Sequence, residues 1–330
     1  MKTSLLSSLR LSVTALFFLV SPHLLGGQSD VEPIKTTHVY KTVDGHDILA
    51  DVFAGPAESK RPAVIWIHGG GLIFGTRLWA PQAQLQRYLE AGYVLISIDH
   101  RLVPETKIPD ILEDVKDAYG WVRTEGAELY NIDPDRIVVA GASSGGYLSL
   151  VSGYMLQPRP AAIVSLYGFG DLTGDWTTQP NPHFNAMPAI SRSEALAVVG
   201  KEPISSGNVQ YSPTGRPKFF NYTKQQGSWT FEATGHDPRT DSDWFEPYEP
   251  LANFDADYPP TLLVHGDLDT DVPVAQAHLM ANALSEQGVV HELITHPDWE
   301  HLFDLNLAGD PEVEAVMDRI KQFVAQHVAN

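Results

Sequence analysis

The sequence predicts an α/β fold, with a mostly parallel central sheet covered by helices on both faces. Short apolar runs alternate along the chain with segments of helical periodicity, which is typical of strands buried on both faces of a parallel sheet. The chain has 330 residues, of which 43% are hydrophobic, enough to bury a large core.

The first expected element is a hairpin, because THVYKTVDGHDILADVF alternates around the turn signal Asp44-Gly45. Continuous apolar runs then predict the remaining strands. They are AVIWI (63–67), YVLISI (93–98), RIVVA (136–140), AAIVSLY (161–167), TLLVH (261–265) and VVHELIT (289–295).

Helices are expected between these runs. PQAQLQRYLEAG is expected to stop at Gly92, and IPDILEDVKDAYGWV places Ile111, Val115 and Ala118 on one face. Further helices are expected in YLSLVSGYML, AQAHLMANALSEQG and EVEAVMDRIKQFVAQHV.

Residues 172 to about 250 break this alternation. The segment is rich in Pro, Gly and Ser, yet it holds eleven aromatic residues, among them Trp176, Trp229, Trp244 and Phe245. A disordered linker is the alternative, but the aromatic content argues against it. We expect a cap insertion that packs over one end of the sheet.

The charge balance excludes one class of partner. The 22 Lys and Arg residues stand against 41 Asp and Glu, a formal net charge of −19. Such a field repels nucleic acids and acidic membrane surfaces, so no nucleic-acid partner is expected.

The N-terminus is typical of a secretory signal. Lys2 and Arg10 precede the apolar run LSVTALFFLV, and the small residues Gly27 and Ser29 follow it. We expect cleavage near Ser29, a catalytic domain over residues 30–330, and a secreted or periplasmic protein with no integral membrane segment in the mature chain. An uncleaved anchor or a misplaced start is the alternative. The chain has no cysteine, so disulfides are excluded.

The stretch GASSGG, residues 141–146, lies between an expected strand and an expected helix. Its register fits G-x-S-x-G centred on Ser143, in which a sharp strand-to-helix turn requires small residues two positions before and after the serine. Centring on Ser144 would put Ala142 where glycine is needed. Ser143 is therefore the expected nucleophile, and the backbone N–H of Ser144 is an expected oxyanion donor.

A second glycine-rich stretch, IWIHGGGL, follows the strand at 63–67. Its glycines let backbone N–H groups approach a ligand without intervening side chains. Gly70 and Gly71 are the expected oxyanion donors beside Ser144, and Leu72 is expected to contact substrate. A tight turn is the alternative reading, and His68 is expected to be structural.

The acid and the base must come later in the chain. In LLVHGDLDTDVPV, Asp269 is the expected acid, with Asp271 its main rival and Asp267 a turn residue. In THPDWEHLFD, His301 is favoured over His296 because it lies in a loop that can return over Ser143. The resulting order, Ser143, Asp269, His301, is that of α/β-hydrolases.

Together these motifs resemble the α/β-hydrolases of the hormone-sensitive-lipase-like and acetyl- or feruloyl-esterase-like kind. The resemblance covers about residues 36–328 and rests on HGGGL, SIDHRLVPE, GASSGG, HGDLDTDVP and EHLF in that order. Two features depart from hormone-sensitive-lipase relatives, Ala142 in place of the usual Asp and the acid motif. In such relatives the RLVPE segment is structural, so Arg101 and Glu105 are not expected to be catalytic.

The resemblance implies a serine carboxylesterase that forms an acyl-enzyme on a small-molecule ester and needs no metal or organic cofactor. Trp176, Trp229 and Trp244 of the insertion are expected to contact an ester with short or compact groups. A peptidase or amidase on the same scaffold is one alternative. A non-catalytic binding protein is another, although such proteins typically lose a triad member and this chain keeps a candidate for each.

Overall fold

The computed structural model describes residues 34–206 and 215–329 of the chain. The expected signal segment, residues 1–29, lies outside them. The described strands form one eight-stranded sheet in the order β1-β2-β4-β3-β5-β6-β7-β8. They are β1 (Ile34–Val43), β2 (His46–Ala54), β3 (Arg61–Ile67), β4 (Val94–Ile98), β5 (Ile132–Ala142), β6 (Ala162–Leu166), β7 (Thr261–Gly266) and β8 (His291–His296).

Strand pairing confirms the predicted mostly parallel sheet. The β1–β2 hairpin is antiparallel, and β2 joins β4 in antiparallel register. From β4 through β3 to β8 every pairing is parallel. The carboxyl ends of six strands therefore lie along one edge of the sheet.

Helices cover both faces of this sheet. Those outside the insertion are α1 (Gln82–Glu90), α2 (Ile108–Trp121), α3 (Ala127–Tyr130), α4 (Ser144–Met155), α12 (Ala275–Glu286), α13 (Phe303–Asn306) and α14 (Pro311–His327). Between β6 and β7 the described chain forms α5 (Asp175–Thr178), α6 (Pro182–Asn185), α7 (Arg192–Leu196), α8 (Pro217–Gln226), α9 (Trp229–Thr234), α10 (Ser242–Phe245) and α11 (Pro250–Asn253).

The core has two layers, because successive strand residues point to opposite faces. Ile65 and Val139 belong to the layer that also contains α2, α4 and α12. Val64 and Val138 belong to the layer under α1 and α14. Each fully buried aliphatic side chain contributes about 1.5–3 kcal/mol, so these layers supply much of the folding free energy.

A buried ion pair fastens the insertion to the core. The Arg216 guanidinium, next to α8, donates to both carboxylate oxygens of Glu105 at 2.9 and 2.8 Å, and its Nε donates to the Ile73 carbonyl. Both side chains are almost fully buried. Removing one partner of such a pair costs about 3–5 kcal/mol. Arg101 pairs with buried Asp114 at 2.8 Å.

No helix within residues 34–206 or 215–329 is long and apolar enough to cross a membrane.

Candidate active site

The candidate residues lie in loops at the carboxyl edge of the parallel strands. Ser143 directly follows β5, and the glycines of HGGGL follow β3. Asp269 follows β7, and His301 follows β8. Because open α/β sheets place their ligand crevices at this edge, the topology itself brings four distant segments together.

Ser143 adopts a backbone conformation that few residues tolerate. Its φ is 56° and its ψ −122°, between the end of β5 and the start of α4. A Cβ at Gly141 would lie 2.2 Å from the Gly145 carbonyl oxygen, and one at Gly145 would lie 2.1 Å from that of Ile67. The turn therefore accepts only glycine at both positions, which is the steric reason for the G-x-S-x-G spacing.

His301 lies between the other two expected catalytic side chains. Its Nδ1 is 2.6 Å from Oδ2 of Asp269, and its Nε2 is 3.1 Å from Oγ of Ser143. An ionised carboxylate only accepts, so the ring proton is on Nδ1 and Nε2 accepts from the serine hydroxyl. This orientation suits proton transfer from serine to imidazole.

The carboxylate of Asp269 has more hydrogen-bond donors around it than the carboxylates of Asp267 and Asp271. Besides His301, the ring of His265 approaches Oδ2 at 3.2 Å, and the backbone N–H groups of Asp271 and Val272 donate to Oδ1 at 2.9 Å. Burial opposes ionisation, but the interactions with His265 and His301 hold the pKa of Asp269 well below its usual value. Asp267 is exposed instead.

Burial also opposes the charged form of His301. The hydrogen bond to Asp269 and the charges of Asp269 and Asp271 outweigh burial and raise the pKa of His301 above its usual value of 6.5. His296, the alternative base, lies elsewhere. Its Nε2 is 2.9 Å from Glu312 and its ring stacks on Trp299.

The glycine loop is fixed to the serine turn and to the insertion. The Leu72 N–H donates to Oγ of Ser144 at 3.1 Å, and Nε1 of Trp229 donates to the Gly71 carbonyl at 2.8 Å. Gly70 and Gly71 have φ values of 115° and 61°, at which a residue with a side chain would be strained. Ser144 begins α4, where the first N–H groups have no partner within the helix.

His68 lies buried beneath this loop. Its Nδ1 donates to the Gly69 carbonyl at 2.8 Å, and its ring stacks on His100 at 4.5 Å. Burial lowers the pKa of His68 to about 4, so the ring is neutral near pH 7. Its contacts are structural, and it does not reach Ser143.

A cavity of about 20 Å³ opens at Ser143. It holds little more than one water-sized group. The other lining residues are Gly71, Phe169, Trp176, Phe220, Lys224, Trp229, Asp271 and Val272. Trp176 and Trp229, both expected to contact substrate, lie among them.

The two other expected substrate contacts, Leu72 and Trp244, do not line this cavity. Leu72 has 0% exposure, because its side chain joins the hydrophobic core. Trp244 stacks on His236 at 4.1 Å and packs on Tyr248, within the insertion. Phe245 is fully buried beside Trp244.

A second cavity, of about 320 Å³, also has Trp176 in its lining. Its lining consists of Asp175, Trp176, Gln179, Pro180, Asn181, Pro182, His183, Thr270 and Pro273. Trp176 lines both this larger cavity and the small cavity at Ser143.

Sequence reasoning did not find Phe169, Phe220, Lys224 or the supporting His265. Phe169 follows β6 at the same sheet edge, and that position was a signal available in the sequence. Lys224 and Phe220 come from the insertion, whose course the pattern does not predict. In the part of the chain that the structure describes, no group of three His, Asp or Glu side chains is arranged to hold a metal ion.

Residues 50–284 match the BD-FAE family. The chain belongs to the BD-FAE family. Members of this family are α/β-hydrolases of the feruloyl-esterase kind, which confirms the predicted resemblance.

Two solved structures share the fold of this chain. An α/β-hydrolase superfamily protein from Enterococcus faecalis superposes with a TM-score of 0.68 at 22% identity, over 89% of this chain and 99% of that one. An esterase from Pyrobaculum calidifontis gives a TM-score of 0.65 at 23% identity, over 91% and 86%. Both similarities show the fold.

One curated relative is much longer. The non-reducing polyketide synthase ausA of Emericella nidulans is 29% identical over 345 residues, which cover 89% of this chain. The BD-FAE chain spans only 14% of that synthase.

Proposed function

We propose that this BD-FAE member hydrolyses esters with short or compact acyl groups through an acyl-enzyme on Ser143. His301 removes the hydroxyl proton as Oγ attacks the ester carbonyl, and Asp269 holds the imidazole and stabilises its charged form. The observation that carries the proposal is the position of His301, 3.1 Å from the hydroxyl oxygen and 2.6 Å from the carboxylate.

The developing oxyanion is bound by backbone N–H groups. Gly70, Gly71 and Ser144 are the proposed donors. Support comes from the contacts that hold this loop, because the Leu72–Ser144 and Trp229–Gly71 hydrogen bonds fix the glycines next to the nucleophile. Donors fixed before the reaction need no rearrangement as charge develops.

The size of the cavity supports a short acyl group. About 20 Å³ at Ser143 leaves room for a group of about methyl size, such as the methyl of an acetyl group, walled by Phe169, Phe220 and Trp229. The larger cavity, which shares Trp176 with the small one, would then take the alcohol part of the ester. Deacylation completes the cycle, with His301 activating the water that attacks the acyl-enzyme.

The test compares the two adjacent serines on p-nitrophenyl acetate. Ser143→Ala should lower kcat by about 10³-fold or more, because the covalent step is lost. Ser144→Ala keeps the backbone donor but leaves the Leu72 N–H unpaired, at a cost of about 1–3 kcal/mol in stability. It should therefore lose far less activity.

Tandem mass spectrometry of the trapped acyl-enzyme locates the nucleophile directly. The acetyl group should be found on Ser143. An adduct on Ser144, or normal turnover by Ser143→Ala, would show that the proposed nucleophile is wrong.

A further inference from the structure

The insertion brings a buried cation to the cavity at Ser143. Lys224, on α8, is only 5% exposed and lines that cavity. Its Nζ lies 5.1 Å from the ring centre of Trp176, 5.7 Å from that of Phe184 and 5.9 Å from that of Phe220. Aromatic faces attract a cation, so the three rings hold the ammonium in place.

Asp271 lies between this ammonium and His301. Oδ1 of Asp271 is 2.8 Å from Nζ of Lys224, and the Asp271 carbonyl also accepts from Nζ at 3.1 Å. Oδ2 of the same carboxylate is 3.8 Å from Nε2 of His301. That nitrogen is the one facing Ser143.

A second carboxylate near Nε2 has a chemical consequence. During acylation the Ser143 proton moves to Nε2 as Oγ bonds to the carbonyl carbon. When the bond to the alcohol oxygen breaks, the same proton moves from Nε2 to that oxygen. A free carboxylate would attract the imidazolium Nε2–H and keep the proton from the leaving group.

We propose that Lys224 is a positioning residue that holds the Asp271 carboxylate, so that the His301 proton goes to the leaving alcohol. This inference rests on the proposed function. It gives the insertion a role in catalysis beyond covering the site, because α8 supplies the charge that neutralises a carboxylate on the loop carrying Asp269.

Several charged groups face His301, and their effects on its pKa differ in sign. Burial lowers the pKa, while Asp269 and Asp271 raise it and Lys224 lowers it. Asp304, which accepts from the Tyr167 hydroxyl at 2.6 Å, also interacts with the imidazole. His265 acts through Asp269. Loss of the Lys224 charge should thus raise the pKa of His301, and loss of the Asp271 charge should lower it.

The experiment measures kcat/KM against pH for Lys224→Met, Asp271→Asn and the double variant. Methionine keeps an unbranched apolar stem among the three rings. We expect Lys224→Met to lose about tenfold or more in kcat/KM near pH 7 and to move the acidic limb to higher pH. The double variant should recover activity and return the limb toward that of the unmodified protein.

Lys107→Met is the matched control. Lys107 also joins the core to the insertion, donating to the Glu232 carbonyl at 2.6 Å, but it does not line the cavity. Its variant should keep the original pH profile. A general loosening of the insertion would affect both lysine variants, and removing Asp271 would not reverse it.

Two results would overturn the inference: an unshifted acidic limb in Lys224→Met, or a double variant as slow as Lys224→Met alone. If Lys224→Met does not fold, Asp271→Asn decides, because an acidic limb that does not move to lower pH contradicts the inference. Ser143→Ala, measured in the same series, distinguishes a failure of this inference from a failure of the proposed function. If Ser143→Ala stays active, the proposed function fails, whatever the lysine variants show.

Discussion

Three aspartates within five residues, Asp267, Asp269 and Asp271, differ in what their carboxylates contact. Asp269 accepts from His301 and two backbone N–H groups and lies 3.2 Å from the His265 ring, whereas Asp267 is exposed and Asp271 pairs with Lys224. Asp269→Asn should lower kcat strongly, on the order of 10³–10⁴-fold, because asparagine favours the wrong imidazole tautomer. Asp267→Asn is the matched control and should change kcat little.

The pH profile of the same variants tests the electrostatic argument. His301 must be neutral to accept the serine proton, and its pKa lies above 6.5. As pH falls through that raised pKa, kcat/KM of the unmodified protein should fall, with its half-maximal point above 6.5. Residual activity of Asp269→Asn should have its acidic limb at lower pH. A limb of the unmodified protein below 6.5, or greater damage by Asp267→Asn, would contradict the assignment.

At the level of elements, long periodic segments were predictable and the insertion was not. The runs at 63–67 and 93–98 were placed within two residues of β3 and β4, because a strand buried on both faces is continuously apolar. The helix expected to end near Val122 instead continues through a wider turn to Tyr130. The described helices of the insertion are mostly four to six residues long, too short for a periodic signal.

Within the insertion, Trp176 limits the size of the cavity at Ser143, which we propose holds the acyl group. Its side chain lines both the cavity of about 20 Å³ and the one of about 320 Å³. Trp176→Ala should join them, so kcat/KM for butyrate and longer p-nitrophenyl esters should rise relative to acetate. Trp244→Ala, in the same insertion but away from the lining, is the control and should lower stability without changing the chain-length profile. If Trp176→Ala and Trp244→Ala gave the same chain-length profile, Trp176 would not be the residue that limits the cavity.

Across the whole molecule, the expected catalytic positions were predictable because the fold class fixes where strands end. Ser143 and His301 are far apart in sequence, yet both follow parallel strands and so meet at one edge. Leu72 and Trp244 do not line the cavity at Ser143, because the direction of a side chain in a loop or a one-turn helix depends on packing that sequence spacing does not encode. Lys224 was missed for the same reason, since only the folded insertion brings it to Asp271.

Export remains a proposal for the chain as a whole, and the position of the N-terminus of the exported protein tests it. The order of Lys2 and Arg10, then an apolar run, then Gly27 and Ser29 predicts cleavage near Ser29. Intact-mass measurement and N-terminal sequencing of protein exported by its native host should find a chain starting close to residue 30. Leu16→Arg interrupts the apolar run and should keep the protein inside the cell with its N-terminus intact, while the proposed esterase activity should persist in the lysate because residue 16 precedes the residues that match the BD-FAE family. A mature exported chain that begins at Met1 would favour an uncleaved anchor, and unchanged export of Leu16→Arg would show that this run is not the signal.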